Sequence, residues 1–221
     1  MENLTLPIVA CLFLAACGPV NQAVRSTPVE INKIQKLAVV IPQEGEFTVI
    51  DERAKATATP AFLFGLTGAI VASAYNQHMD SEKAKAMSGQ MTRLSCRSIF
   101  IESFQTALSE YNRFTDAVFL DHELKAEDVK SYDAVVSFEI LSWGLRVVER
   151  SQGDLLKPFL EIHAQLVDAK GNKLWDETDV LVGHGQSSLA NYQYDHELFN
   201  KDMEEAIQDA GRKMAVSLIY Q

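Results

Sequence analysis

Apolar residues recur along this chain with two periods, and the two periods divide it into strands and helices. Leu37-Ala38-Val39-Val40-Ile41, stopped by Pro42, is a short continuous run of the kind a buried strand shows. Residues 43–59 have the composition of a loop, with room for a short strand at Phe47-Thr48-Val49-Ile50. From Leu94 to Tyr111 the period changes to that of a helix: Cys96, Phe100, Phe104, Ala107, Leu108 and Tyr111 fall on one face. Asn112 and Arg113 end it, and Asp116-Ala-Val-Phe-Leu120 predicts a strand. Residues 126–131 suit one or two helical turns.

The stretch from Asp133 to Val148 carries an irregularity. Ala134, Val136, Phe138 and Ile140 share one strand face, whereas Leu141, Trp143, Leu145 and Val147 share the other. A bulge near Ile140-Leu141 would return both sets to one core; the alternative is a separate edge segment. Leu160, Ile162, Ala164 and Leu166 alternate with Glu161, His163 and Gln165, the pattern of a half-buried strand. Asp168-Ala-Lys-Gly-Asn172 signals a turn. The return strand, Lys173 to Val182, places Leu174, Thr178, Val180 and Val182 on one face, interrupted by Asp176. Residues 183–195 look like loop. The final helix, about Glu197 to Tyr220, has the clearest stripe: Phe199, Met203, Ile207, Ala210, Met214 and Leu218. Its acidic start and its later Arg212-Lys213 suit the helix dipole. The order predicts an α+β fold, a mixed and mostly antiparallel sheet with helices packed on one face.

Residues 4–16 are almost wholly apolar, yet thirteen residues are too few to cross a hydrocarbon core of ~30 Å as a helix. Their length matches the apolar region of an export signal. The segment ends in Leu14-Ala15-Ala16-Cys17, which resembles the lipobox of bacterial lipoproteins. That resemblance implies cleavage between Ala16 and Cys17, acylation of Cys17 with palmitate-type chains, and stable anchoring by several chains. Gly18, where an Asp would favour inner-membrane retention in that family, favours the outer membrane by the same resemblance. The expected organisation is a signal peptide over 1–16, a lipidated Cys17 and flexible tether over 17–35, and one periplasmic domain over 36–221.

The 221 residues are 47% hydrophobic, enough for a core, and carry a net charge of −10. No Lys/Arg cluster offers a face for phosphates, so nucleic acid is not an expected partner. With Cys17 acylated, Cys96 is left without a partner, and no disulfide is expected. No Cys/His spacing suits a metal, and no cofactor motif is present, so neither is expected.

Asp-His-Glu-Leu occurs at 121–124 and 195–198. Neither copy has a second His four residues on, and helix capping by Asp121 and Asp195 is the simpler reading. Gly183-His184-Gly185-Gln186-Ser187 does not have the spacing of a nucleophile elbow. Cys96, on an apolar stripe, is expected to be buried and inert. Trp143 and Trp175 are expected in the core, with a ligand groove as the other reading.

The uncharged insert at 60–75 is unusual. Gly65, Gly68, Ala69 and Ala72 would form a small-residue helix face, suited to contact with another copy, to contact with the bilayer, or to burial in the core.

Three pieces resemble a group of envelope lipoproteins. They are Lys36-Leu-Ala-Val-Val-Ile-Pro42, Phe104 to Val118, and the hairpin Leu166 to Asp176. The pattern is similar to the α/β domain of curli-secretion, penicillin-binding-protein-activator and ABC-transport-auxiliary lipoproteins and of the N-terminal domain of the Tol–Pal propeller protein. The resemblance implies a non-catalytic accessory subunit of a transport, secretion or wall-assembly complex, with protein partners. A small apolar or lipid ligand-binding module is the alternative.

The lipobox reading makes a direct prediction. Cys17→Ala should abolish radioactive palmitate labelling and release the protein from membranes; unchanged labelling would refute it.

Overall fold

The computed structural model describes residues 24–25, 33–41, 43–51, 94–122, 129–149 and 154–220. The signal segment, Cys17 and the insert at 60–75 with Gly65, Gly68, Ala69 and Ala72 lie outside the described residues, as do Pro42 and residues 126–128.

The elements, in chain order, are β1 (Val24–Arg25), β2 (Lys36–Val40), β3 (Glu46–Asp51), α1 (Cys96–Glu110), β4 (Asp116–Leu120), a 3-10 turn (Val129–Ser131), β5 (Ala134–Glu149), β6 (Leu155–Asp168), β7 (Lys173–Val182), β8 (Ser187–Ser188), α2 (Leu189–Tyr194) and α3 (His196–Ile219). The strands form one mixed sheet in the order β1-β7-β6-β5-β2-β4, with β3 also on β5 and β8 also on β6. The β5–β6, β6–β7, β1–β7 and β6–β8 pairs are antiparallel. The β2–β4, β2–β5 and β3–β5 pairs are parallel. This is the predicted α+β class.

The long strand β5 organises the sheet. Its first half pairs with β2 from Ala134 to Ser137, and its second half pairs with β3 from Ser142 to Val147. Between them the register against β6 shifts at Ile140/Ser142. Ala134, Val136, Phe138 and Ile140 are buried before the shift, and Trp143, Leu145 and Val147 after it. The bulge inferred from the apolar pattern is therefore present. Leu141 is the extra residue, and it does not join the core: it is 41% exposed, because a bulge leaves one residue unpaired.

Helices α1 and α3 cover one face of the sheet. Phe104 stands 4.8 Å from Phe138 and 6.3 Å from Phe119, edge to face, tying α1 to β5 and β4. Phe47 joins Trp143 at 5.3 Å and Phe199 at 6.3 Å, tying β3 and β5 to α3. Each fully buried Phe of this kind contributes roughly 2–3 kcal/mol through its burial. The helices approach each other at Gly211, where a Cβ would stand 1.9 Å from Ser103 Oγ and 2.6 Å from the Phe100 carbonyl oxygen.

Five expectations change. Residues 183–195 are not a loop but contain β8 and α2, and the Ser188 side chain caps α2 by accepting from Asn191 N–H. Phe47–Ile50 extends into a six-residue strand, stabilised by its parallel ladder with β5. On β7 the buried apolar pair is Leu174 and Trp175, whereas Val180 and Val182 are exposed. A register shift between Leu166 and Val167 reverses the parity expected for the strand. Tyr111 is 43% exposed beyond the end of α1. Arg212 and Lys213 pair with Asp209 and Asp179 rather than meeting the end of α3, whose last turn holds no basic residue.

Most of the expected tether over 17–35 lies outside the described residues; within it, Val24 and Arg25 pair with Asp176 and Trp175 of β7, and Ile34 is buried.

Gly144 has φ 144°, and a Cβ there would meet the Thr48 carbonyl oxygen at 1.9 Å. Gly144→Ala would therefore combine backbone strain with a forced separation of β3 from β5. It should cost about 3 kcal/mol or more, read as a lower urea midpoint at unchanged slope.

Candidate functional site

Alternation along β5, β6 and β7 sends one set of side chains toward the helices and the other to the opposite face. That opposite face carries the main polar constellation among the described residues. His163 on β6 sits between strands: its Nε2 lies 2.7 Å from Asp176 Oδ1, and its Nδ1 lies 3.8 Å from Glu139 Oε2. The register explains this, because Glu139 is directly opposite His163 on β5 and Asp176 is one place removed from its β7 partner Thr178 by the two-residue alternation. The Lys173 ammonium also donates to Asp176. The Lys173 hydrogen bond first, and His163 second, hold the Asp176 carboxyl below the usual carboxylate range. Farther along the same face, Ser142 Oγ donates to Glu161 Oε2 at 3.0 Å. Exposed Thr178, Val180 and Val182 extend it on β7. The result is a mixed surface of acids, a histidine, a lysine and short apolar side chains. Among the described residues, no group of three or more His, Cys, Asp and Glu has the arrangement to hold a metal ion.

Most other groups that drew notice in the sequence have structural tasks. Asp195 caps α3, accepting from Leu198 N–H at 2.9 Å, as expected for the second Asp-His-Glu-Leu copy. Asp121 lies just past β4, with His122 Nδ1 at 2.9 Å; that hydrogen bond lowers its carboxyl pKa. Glu123 and Leu124 lie outside the described residues, so capping by Asp121 does too. Cys96 is fully buried at the start of α1, and burial first, with the Glu44 carboxylate second, pushes its thiol far up. Such a thiol is a poor nucleophile at neutral pH.

Trp143 and Trp175 are both core residues. Trp143 donates its indole N–H to the Gly45 carbonyl at 2.8 Å, and Trp175 donates to Glu177 at 2.9 Å. Trp143 therefore lines no ligand groove. A groove of about 260 Å³ does run between α1 and α3, but its walls include Glu102, Glu110, Glu204, Gln208 and Arg212 rather than an apolar lining.

The Gly183-His184-Gly185 segment is held by packing. A Cβ at Gly183 would stand 2.8 Å from Ala206 Cβ, and one at Gly185 2.3 Å from the Asp202 carboxyl carbon. Ser187 belongs to β8 and is buried. Asp202 is itself buried and accepts from Tyr192 Oη at 2.8 Å. Burial, then the bond to Asp202, push the Tyr192 phenol up. Sequence reading missed this Tyr192–Asp202 pair. Its only signal was an acid at position 202 one place before Met203 on the stripe of α3, which a polar-face reading absorbs.

No family model matches the chain, and no curated protein matches it. Solved structures are similar to it at low identity. A Xanthomonas campestris protein described as DUF330 is 11% identical with a TM-score of 0.48, covering 89% of this chain and 91% of its own. The PelC dodecamer from Paraburkholderia phytofirmans is 15% identical with a TM-score of 0.37, covering 84% of this chain and 87% of its own. A minor lipoprotein from Acinetobacter baumannii is 14% identical with a TM-score of 0.29, covering 52% of this chain and 85% of its own. At these identities and TM-scores the likeness extends no activity to this chain. No helix among the described residues is long and apolar enough to cross a membrane.

The Asp176 interactions predict a pH dependence. The folded pKa lies below the unfolded value of about 3.9, so the stabilisation is present above that value. It is lost as pH falls through the depressed folded value. Asp176→Asn should therefore lower the urea midpoint at pH 7 and flatten its decline between pH 5 and pH 2 (about the range over which depressed carboxylates titrate). A decline as steep as in the parent chain would exclude Asp176 as a contributor.

Proposed function

We propose that the protein is a lipid-anchored envelope lipoprotein, exposed to the periplasm, that serves as a non-catalytic accessory subunit of a transport, secretion or wall-assembly complex. The observation that carries this reading is the sheet face that no helix covers among the described residues. Its Glu139, His163, Asp176, Thr178, Val180 and Val182 form a mixed polar and apolar surface, with the Glu139 side chain 70% exposed and both valines exposed. Surfaces of that composition suit protein–protein contact, where polar groups set specificity and small apolar groups exclude water. The Leu14-Ala15-Ala16-Cys17 motif supports membrane anchoring, and Gly18 favours the outer membrane by resemblance.

The non-catalytic part of the reading is supported by the structural tasks that Cys96, Asp195, Ser187 and both tryptophans already perform. Catalysis would need groups free to change partners during a reaction.

A photo-crosslinking amino acid at Thr178, in membranes from the native host, should give discrete adducts with one or a few envelope proteins. The same probe at Glu205, on the exposed side of α3, should give markedly fewer. Glu139→Lys combined with Asp176→Lys should reduce the Thr178 adducts about tenfold, the size of a ~1.4 kcal/mol loss. Equal adducts from both probe positions, insensitive to the charge reversals, would overturn the assignment of this face.

A further inference from the structure

One end of the domain collects the starts of β2, β4, β5 and β7 and the ends of α1 and α3. Hydrogen bonds hold it together: Asp116 N–H donates to the Gln35 carbonyl, Asp133 N–H to the Lys36 carbonyl, and Ala169 N–H to the Asp133 carbonyl. The two helices run toward it side by side, because Gly211 packs on Phe100 and Ser103 while Tyr220 meets Tyr111. β1 lies there too, on Trp175 and Asp176 near the start of β7.

Two aromatic rings stand exposed at this end. Tyr220 is 71% exposed and Tyr111 43%, and their rings meet edge to face at 6.0 Å. Val216, one turn before Tyr220, is exposed as well. A tyrosine has an apolar ring and a polar tip, which suits it to the depth of lipid headgroups.

The same end carries lysines that no run in the sequence announces. Lys33, Lys36, Lys130 and Lys170 come from three separate segments and are all exposed. None of the four pairs with a carboxylate among the described residues. Two nearby acids are engaged by backbone N–H groups: Asp133 accepts from Gln35 and Lys36, and Asp168 from Lys170 and Asn172. Exposed Glu110 and Asp116 offset part of the positive charge. The far end differs sharply. There α3 starts with Asp195, Glu197, Glu204 and Glu205 against Lys201 alone. A chain of net charge −10 meets an anionic surface most favourably by its least acidic end.

We infer that this tyrosine- and lysine-bearing end docks on the anionic phospholipid surface of the membrane, an inference that rests on the lipid-anchor reading of Cys17. Cys17 precedes Val24 by seven residues, a length that spans at most about 25 Å in any conformation. An acylated Cys17 therefore keeps β1, and the end to which β1 belongs, within that distance of the bilayer. Repulsion of the acidic start of α3 turns the opposite end away. The strands then stand upright on the membrane, and the face with Glu139 and His163 opens sideways, toward a partner held in the same membrane.

A fluorescent probe tests the contact in the full chain, purified from membranes and reconstituted in equimolar phosphatidylethanolamine–phosphatidylglycerol vesicles. The environment-sensitive dye is attached to Tyr220→Cys or to Glu197→Cys, two exposed sites at opposite ends of α3. Buried Cys96 takes no label. Aqueous iodide should quench the dye at position 220 about threefold less than at position 197, as expected for a group at headgroup depth. Lys36→Glu with Lys170→Glu should remove most of that difference, because each lysine near an anionic surface shifts the contact equilibrium about fivefold. Equal quenching at the two positions in the parent chain, or a difference insensitive to both the charge reversals and replacement of phosphatidylglycerol by phosphatidylcholine, would overturn the inference.

Mass spectrometry of the N-terminal peptide separates the two readings. Acylated Cys17 with equal quenching sinks the docking end alone. Unacylated Cys17, with the probe at position 220 still protected once vesicles are added, keeps the docking end and sinks the anchor.

Discussion

The bulge in β5 is the constraint on which the rest of the molecule depends. Without the shift at Ile140/Ser142, Trp143, Leu145 and Val147 would point away from the helices. With it, one strand supplies a continuous apolar face over its whole length and serves two different parallel neighbours, β2 and β3. The chain between those neighbours crosses at the bulge. Gly45 packs so tightly there that a Cβ would stand 2.6 Å from Ile140, and its carbonyl accepts the Trp143 N–H. The residue before it, Glu44, reaches the start of α1 and accepts from Cys96 N–H at 2.6 Å, while Ser95 Oγ donates to the same carboxylate. A carboxylate at a helix N-terminus satisfies donors that would otherwise be unpaired and meets the positive end of the dipole. One crossing segment therefore couples sheet register to helix placement.

This coupling explains what the sequence could and could not disclose. The bulge was legible because strand periodicity is strict: two sets of apolar residues of opposite parity in Ala134–Glu149 allow few explanations. The stripes of α1 and α3 were legible for the corresponding helical reason, as were the bounds of β4 and β7. Glu44 was not, because its partner lies 52 residues away and nothing local marks it as a cap. Leu174 misled because a bulge beside a hairpin changes parity after one residue, too short a run to reveal the change. Segment Ser187–Tyr194 was missed because β8 is two residues long and α2 six, below the length at which periodicity exists.

Helix contact illustrates the same division. Attention to small residues fell on Gly65, Gly68, Ala69 and Ala72, where glycine and alanine cluster. The close approach seen among the described residues is at Gly211, a single glycine within the stripe of α3. An isolated glycine inside a helix costs about 1 kcal/mol relative to Ala, so its presence is informative when a neighbouring backbone occupies the missing side chain's place. Here the backbone and Ser103 of α1 occupy it. The candidate site was legible only in parts. His163 was read correctly as an outward-facing strand residue, but its placement between Glu139 and Asp176 depends on the registers of three strands, which no local pattern encodes.

The two faces of the sheet consequently differ in what they can do. On the helix side, packing fixes side chains in place: Phe104 against Phe138, Phe47 against Trp143, and Gly211 against α1 fill the space between the helices and the sheet. On the other side, the His163 cluster is held by charge and hydrogen bonding rather than by close packing, and its groups retain exposure. A partner can meet that face without disturbing the core, because the strands beneath it are already paired and buried on their helix side. Among the described residues the chain first joins the sheet at β1, which pairs with β7, the strand that also carries Asp176.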